Sequence, residues 1–377
     1  MMNVPTTKPY FPPEDIEEIL KGMEEILSSG RFIKGRFLSA FEEEFARFVG
    51  ARYAIATSSG TAALELVYRY FDVKGKEVIT PTNTFIATSN AVLFAGGRPV
   101  LADMDADTLC LDVADVEKRV TPQTCGVVLV HMVGFITPQI EKIRSLCKER
   151  NLFFVEDASH AHGASYNGIK AGTWGDAAVF SCLATKVMTT GGVGGVITTN
   201  TENLALFARS LRFHGEDKTR GIQDRIGNNW MLSEPQALIG YVQTKRLSEI
   251  VEKRMAIAKR YDEVFGEISR LKIFSLPGGA TCGYYKYPLL LQAPLVRSNI
   301  IKALEENGVA TGGSYWPPCH LQPVYKKEFG YKEGDFPIAE DILSRVVTLP
   351  IYAGMTDEEI AYVIDAVKRS IVITNPR

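Results

Sequence analysis

Several features that mark particular protein classes are absent from this sequence. Its six cysteines include no C-x-x-C pair, and its five histidines include no H-E-x-x-H motif. These absences weaken a zinc-binding or redox-motif interpretation. His160 and His162 form a close pair, but two ligands without a third nearby are more often structural, so we expect no metal. No uninterrupted apolar run reaches the roughly 18 residues of a transmembrane helix, so we expect no membrane span.

The sequence also lacks an excess of charge of one sign. Its 42 basic and 44 acidic residues give a net charge of −2, which provides no overall attraction to nucleic acid or to an anionic membrane. We therefore expect neither as a partner. The first residues contain no apolar signal-peptide core, and singly scattered cysteines are typical of reduced thiols. Both observations predict a cytoplasmic protein.

What the sequence does contain is a regular alternation of strand-like and helix-like segments. The predicted strands are residues 53–56, 77–80, 99–102, 126–130, 152–155, 177–181 and 195–198. Near-continuous apolar runs such as GVVLV and LFFV are typical of strands that are buried on both faces. The pattern therefore predicts an α/β protein whose mostly parallel sheet is covered by helices on both faces.

The pattern changes at about Ser233. One long helical region extends from there to near Phe265, and a smaller α+β pattern follows it. We therefore predict two domains. The large domain, with the candidate site, covers residues 1–245 and includes an N-terminal arm at residues 1–30, and the small C-terminal α+β domain covers residues 246–377.

The first candidate site element is the segment Thr57-Ser58-Ser59-Gly60-Thr61, between a predicted strand and a predicted helix. The start of a helix exposes unpaired amides and the positive end of the helix dipole, and small residues let an anion approach. The segment is therefore a candidate phosphate cradle. An ordinary helix cap formed by Ser58 or Ser59 is the alternative interpretation.

Two further candidates follow the ends of other predicted strands. Asp157 follows a buried strand, where an acid is costly unless a positive group such as a protonated cofactor ring nitrogen meets it. The alternative is a surface acid just past the strand. Lys186 lies among small and apolar residues, where a lowered pKa would let its amine attack a carbonyl. A single lysine more commonly extends its amine to solvent.

The order of cradle, acid and then lysine, 29 residues after Asp157, is that of fold-type I pyridoxal-phosphate enzymes. The chain resembles the DegT/StrS family of sugar aminotransferases over nearly its whole length. The motifs that carry the resemblance are KPYFPPED, ATSSGTAALEL, TPTNTFIATSNAV, VEDASHAHGA, FSCLATKVMTTGGVGG, GNNWMLSEPQA, YWPPCHLQPVY and FPIAEDILSRVVTLP. The resemblance implies a three-layer, mostly parallel sheet, a pyridoxal 5'-phosphate cofactor, and a homodimer with shared active sites.

The resemblance also assigns roles to individual residues. Lys186 matches the lysine that forms the Schiff base with pyridoxal 5'-phosphate, and Asp157 matches the acid that pairs with its pyridine nitrogen. Asn229 matches a residue that reaches the neighbouring subunit's cofactor. The other expected cofactor-binding residues are Ser59, Gly60, Thr61, Phe85, which stacks on the ring, His160, which faces the ring hydroxyl, and Ser181. The expected substrate-binding residues are His320, Tyr315 and Arg31.

The sequence departs from the family pattern at three places. The glycine-rich segment Gly191–Gly195 contains no Glu, Met231 stands where many members have arginine, and Pro235 lies early in the following helix. These departures bear on which sugar is recognised and how the amino donor is handled, more than on the binding of the cofactor.

The resemblance implies an aminotransferase that moves an amino group from glutamate or glutamine to a nucleotide-linked keto-deoxysugar by a ping-pong mechanism. Such a reaction belongs to amino-sugar, surface-polysaccharide or antibiotic-sugar biosynthesis. Lys186 argues against the sugar 3-dehydratase branch, whose members typically carry histidine at that position. A keto-inositol aminotransferase and a non-catalytic, cofactor-binding regulatory protein of the same fold remain as alternatives.

Overall fold

The computed structural model describes residues 2–217, 219–312 and 315–373. The strands are β1 (Tyr53–Thr57), β2 (Glu77–Pro81), β3 (Arg98–Ala102), β4 (Thr124–Val130), β5 (Phe153–Asp157), β6 (Ser165–Tyr166), β7 (Ile169–Lys170), β8 (Ala177–Ser181), β9 (Gly195–Thr199), β10 (Glu216–Asp217), β11 (Ile222–Gln223), β12 (Leu271–Ile273), β13 (Ala280–Thr281), β14 (Tyr287–Leu291) and β15 (Val346–Leu349). The helices are α1 (Pro13–Ser29), α2 (Arg36–Val49), α3 (Gly60–Tyr70), α4 (Ala87–Phe94), α5 (Val113–Arg119), α6 (Ile140–Glu149), α7 (Glu202–Leu211), α8 (Glu234–Phe265), α9 (Arg297–Glu306), α10 (Pro323–Phe329), α11 (Pro337–Arg345) and α12 (Asp357–Ile373).

The central sheet has seven strands in the order β1-β9-β8-β5-β4-β2-β3. Strands β8, β5, β4, β2 and β3 pair in parallel, whereas β9 runs antiparallel to both of its neighbours. The prediction of an α/β fold with a mostly parallel sheet is confirmed. The seven predicted strands all lie in this sheet, because each combines an apolar run with flanking turn residues.

Side chains that alternate along the strands pack into two separate cores. Val127 and Phe154 belong to the core with α1, α2 and α8, whereas Val128 and Val155 belong to the core with α3, α4 and α7. Successive side chains of a strand point to opposite faces of the sheet, so a strand that is apolar throughout requires cover on both faces. This requirement produces the three layers. Among the helices described above, none has both the length and the apolar composition that a membrane crossing requires.

Helix α8 connects the two parts of the chain. Its start is capped by Ser233, and it packs on α1 and α2 as well as on β12 and α12. The predicted domain boundary between residues 245 and 246 lies inside this helix. Strands β12, β14 and β15 form a separate antiparallel sheet in the C-terminal part. The division of the chain into two domains at that boundary stays a prediction.

Strand β5 ends in two consecutive buried carboxylates that make different contacts. Glu156 Oε1 accepts hydrogen bonds from the amides of Trp174 and Gly175 at 2.7 and 2.9 Å, and Oε2 accepts one from the amide of Gly172 at 2.9 Å. His131 Nε2 lies 2.8 Å from the same Oε2. Glu156 therefore anchors the loop before β8 to the middle of the sheet, and it leaves Asp157 to face the other way.

This anchoring predicts that Glu156→Gln destabilises the fold. The amide keeps the shape of the side chain but places an NH₂ group where a backbone amide needs an acceptor, so we expect a loss of about 1–3 kcal/mol in the free energy of unfolding. Urea denaturation measures this loss. The exposed Glu149→Gln is the matched control, with an expected change within about 0.5 kcal/mol. Equal stability of Glu156→Gln and wild type would contradict the structural role.

Candidate active site

A cavity of about 390 Å³ lies where the central strands end, and its volume is in the usual range for a small-molecule site. It brings together most of the residues that the sequence predicts for a site. Those that line it are Ser59, Gly60, Thr61, Phe85, Asp157, His160, Ser181, Lys186 and Tyr315. The chain segments that carry them are far apart in the sequence, so the sheet and the C-terminal part assemble the site jointly.

The predicted phosphate cradle is the start of helix α3. Ser59 caps the helix, and its Oγ accepts a hydrogen bond from the amide of Ala62 at 3.1 Å. The cap and the cradle are compatible, because one cap leaves other first-turn amides without a partner inside the helix. A Cβ at Gly60 would lie 3.1 Å from Cβ of Ser181. Glycine therefore lets the helix start approach the end of β8, so that Ser181 adds a hydroxyl to the same anion-binding corner.

Asp157 is a buried carboxylate on the cavity wall, with only 4% of its surface exposed. Its Oδ2 accepts a hydrogen bond from Thr88 Oγ1 at 2.8 Å, and its Oδ1 accepts one from the amide of Ser159 at 3.2 Å. These two donors hold the carboxylate in place on the cavity wall. The arrangement suits a cationic partner such as a protonated ring nitrogen.

Lys186 is half-buried on the same wall, and its Nζ lies 4.3 Å from the ring centroid of Tyr285. Burial lowers the pKa of Lys186 to about 7, because it penalises the charged form. Asp157 opposes this shift and Lys286 adds to it. An amine with a pKa near 7 exchanges its proton readily at neutral pH, and its neutral form is a nucleophile.

An aromatic cluster lies beside the lysine. The ring of His160 stacks on Tyr285 with centroids 4.2 Å apart, and its Nε2 lies 2.9 Å from the hydroxyl of Tyr315. Burial lowers the pKa of His160 well below its usual value, so the ring is neutral. Within the described residues, the buried Nδ1 of His160 has no hydrogen-bond partner. Phe85 lies at the rim with 57% of its surface exposed, and its ring centroid is 6.2 Å from that of Tyr315.

Tyr285 and Lys286, which precede β14, are among the cavity residues that sequence reasoning missed. The sequence contains a signal that could have indicated Lys286, because it is the one charged residue in the otherwise aromatic and apolar run YYKYPLLL. Burial lowers the pKa of Lys286 to about 8. The buried Arg254 holds this segment in place: Nε donates to the carbonyl of Gly283 at 2.6 Å, and Nη2 donates to the carbonyl of Tyr284 at 2.8 Å.

Three predicted site residues do not line this cavity. Arg31 and Asn229 are exposed at the surface of the chain. His320 is fully buried, with Nδ1 2.7 Å from Thr82 Oγ1 and Nε2 2.9 Å from Glu340 Oε1. Both ring nitrogens are thus occupied by the fold, which indicates a structural role for His320 in attaching the C-terminal part to the end of β2.

The lowered pKa of Lys186 predicts its reactivity in cofactor-free protein. The amine becomes neutral as the pH rises through about 7, so acetylation of Lys186 by an amine-reactive reagent should increase there, rather than near the value of about 10.4 of an ordinary lysine. Mass spectrometry of peptides labelled between pH 6 and pH 11 measures the midpoint. In Asp157→Asn the midpoint should fall further, since the carboxylate raises this pKa. A midpoint near 10 would contradict the assignment.

Curated relatives match the chain over nearly its whole length. The spore coat polysaccharide biosynthesis protein SpsC of Bacillus subtilis is 36% identical over 380 residues, which cover 97% of this chain and 96% of SpsC. The dTDP-3-amino-3,6-dideoxy-alpha-D-galactopyranose transaminase of Aneurinibacillus thermoaerophilus is 34% identical over 359 residues, which cover 94% of this chain and 95% of that enzyme.

Solved structures share the fold. DesV of S. venezuelae superimposes with a TM-score of 0.92 at 30% identity and covers 98% of each chain. NtdA of Bacillus subtilis, solved with bound cofactor PMP, gives a TM-score of 0.86 at 29% identity and covers 97% of this chain and 85% of NtdA. The three-layer architecture described above is therefore that of known aminotransferases.

The sequence profile of one protein family matches residues 13–368, from the start of α1 to the last helix. The matched region contains the helix start of α3, Asp157, Lys186 and the aromatic cluster. The chain belongs to the DegT/DnrJ/EryC1/StrS aminotransferase family, as its sequence motifs indicated, and it is an enzyme of that family.

Proposed function

We propose that this aminotransferase moves an amino group from glutamate or glutamine to a nucleotide-linked keto-deoxysugar by a ping-pong mechanism, in the biosynthesis of an amino sugar. The observation that carries the proposal is the meeting of Asp157, Lys186 and the start of α3 on one cavity. The names of the relatives add support, since one is a transaminase of a dTDP-linked amino sugar and another acts in polysaccharide biosynthesis.

The cavity residues fit pyridoxal 5'-phosphate. The start of α3 with Ser59, Gly60 and Ser181 would hold the phosphate, and Asp157 would hold the protonated ring nitrogen by opposite charge. The exposed ring of Phe85 would lie against the cofactor ring. When bound, this cofactor withdraws electrons and stabilises negative charge on the carbon from which a proton is removed.

Lys186 would carry both the covalent linkage and the proton. Once the amino donor has displaced it from the cofactor, its Nζ, with a pKa lowered by burial to about 7, would take a proton from a carbon of the substrate and deliver it to a carbon of the cofactor. The wall formed by Tyr285 and His160 would exclude water from the amine, and the neutral His160 leaves a nitrogen for the ring hydroxyl.

A second subunit would complete the site. Three exposed apolar side chains surround the opening of the cavity, namely Phe85, Leu183 and Val193. Exposed apolar groups next to a site are typical of a surface that another protein covers. Asn229 and Arg31, both exposed, would then reach the neighbouring subunit's cofactor and the diphosphate of its sugar. The proposed active form is a homodimer with shared active sites.

Transfer assays test the proposed function. Wild type, incubated with glutamate or glutamine and a panel of nucleotide-linked ketosugars and keto-inositols, should aminate a ketosugar. Lys186→Ala should lose at least about 10²-fold in rate, because it removes the general base and acid. Lys302→Ala, on the exposed face of α9, is the control and should keep the wild-type rate. Near-normal turnover by Lys186→Ala would exclude this role, and amination of keto-inositols alone would exclude the sugar acceptor.

Subunit mixing tests the shared site. Lys186→Ala is mixed with an Asn229→Ala variant that binds the cofactor weakly, and the subunits are allowed to exchange. If Asn229 serves the neighbouring subunit's cofactor, a heterodimer has one site with both lesions and one intact site. Activity should therefore rise above that of either variant alone. Verified exchange without a gain in activity would mean that each site is built from one chain.

A further inference from the structure

A second cavity adjoins the candidate active site, and Tyr285 and Lys286 line both cavities. Its volume is about 290 Å³. Five threonines contribute to its wall, namely residues 6, 7, 185, 311 and 348. The N-terminal segment, the C-terminal part and the segment of Lys186 therefore meet around a space that is rich in hydroxyl groups.

Lys286 supplies the positive charge of this second cavity. Its Nζ lies 5.3 Å from the ring centroid of Tyr285 and 5.4 Å from that of Tyr315, so the ammonium is held between the two cavities. A Cβ at Gly312 would come within 3.4 Å of this Nζ, so the glycine keeps space open beside it. In a half-buried position, water screens the charge less and attraction to an anion is stronger.

The chemistry of the wall favours a carboxylate over a diphosphate. The hydroxyl of Thr348 donates to the carbonyl of Gly312, and that of Thr185 bonds to Tyr285. The ammonium of Lys286 and the hydroxyls of Thr6, Thr7 and Thr311 match the single charge and two oxygens of a carboxylate. The cavity is also small for a nucleoside diphosphate, whereas a short dicarboxylic acid fits a space of this size. Tyr285 lines both cavities, and Lys186 Nζ and Lys286 Nζ lie 4.3 and 5.3 Å from the centroid of its ring, so a ligand bound at Lys286 would lie near the reacting amine.

We propose that Lys286 and the threonine hydroxyls of the second cavity form a subsite that binds a carboxylate of the amino donor. The inference rests on the proposed function, because it assigns this place to the acidic donor of that reaction. Arg254, which donates to the carbonyls of Gly283, Tyr284 and Tyr285, holds the segment that carries Lys286 against the site. The subsite is thus built on a fixed segment and recognises the donor before the acceptor enters.

The test separates the two half-reactions of the holoenzyme. Lys286→Met removes the charge and keeps most of the length, Lys286→Arg keeps the charge, and Lys302→Met on exposed α9 is the matched control. In rapid mixing with glutamate alone, Lys286→Met should lose about 30-fold or more in kcat/KM, mainly through KM, because a hydrogen bond to a charged group is lost. The acceptor half-reaction should lose less, because Lys286 acts on it only by lowering the pKa of Lys186, and Lys286→Arg should recover much of both losses.

A binding measurement gives a readout that needs no turnover. Glutarate, a dicarboxylate without an amine, should bind the wild-type holoenzyme in calorimetry and bind Lys286→Met at least about 10-fold more weakly. Thr311→Val, at an independent position on the same wall, should also weaken glutarate binding, which keeps the test valid if Lys286→Met does not fold. Equal glutarate binding by wild type, Lys286→Met and Thr311→Val would overturn the proposal.

A carboxylate on the sugar acceptor is the other source of the same chemistry. The donor assignment is overturned if Lys286→Met slows only the acceptor half-reaction with a nucleotide-linked uronic acid ketosugar and leaves the rate of the glutamate half-reaction unchanged. If wild type aminates no ketosugar while glutarate binding still depends on Lys286, the proposed acceptor is wrong and the carboxylate subsite stands. The two failures are therefore distinguishable.

Discussion

The site depends on one constraint, the burial of two adjacent carboxylates at the end of β5. Successive side chains of a strand point to opposite faces of the sheet, so Glu156 and Asp157 must contact different partners. Glu156 is satisfied by three backbone amides and lies beside His131, which ties the loop before β8 to the sheet. Asp157 accepts hydrogen bonds from Thr88 and from the amide of Ser159 in the part of the chain that the structure describes, and it faces the cavity. One carboxylate thus stabilises the fold, and its neighbour stays available for chemistry.

The same burial that holds Asp157 tunes the lysine opposite it. Lys186 would be an ordinary cation in water, but desolvation in the cavity lowers its pKa into the neutral range, and the field of Asp157 limits the shift. The ring of Tyr285, 4.3 Å from Lys186 Nζ, covers the amine from the C-terminal part, where Arg254 donates hydrogen bonds to the carbonyls of this segment. The pKa of a lysine after β8 therefore depends in part on residues about a hundred positions later in the chain, Lys286 among them.

Much of this arrangement was predictable from the sequence, and the residues show why. The strands of the central sheet are continuous apolar runs, and a pattern of that kind has few alternative structures. Asp157 and Lys186 follow strand ends, where α/β proteins place their ligands, and the order of motifs indicated the family. Glu156 was passed over because two adjacent acids look alike in a sequence, and only the face of the strand distinguishes their partners. His320 was expected near the substrate, which stays a prediction, and the structure places its ring nitrogens against Thr82 and Glu340.

By itself, the sequence determined the layered α/β fold and the family, and it singled out Asp157 and Lys186 as candidate site residues, because these inferences depend on local patterns of polarity and on motif order. Only the tertiary structure decided which other groups share their cavity. Lys286 reads as one cation in an apolar run, and its position between two cavities follows from the packing of Tyr285 and Tyr315 around it. Contacts between distant segments depend on how helices and sheets pack, and no local pattern encodes that packing.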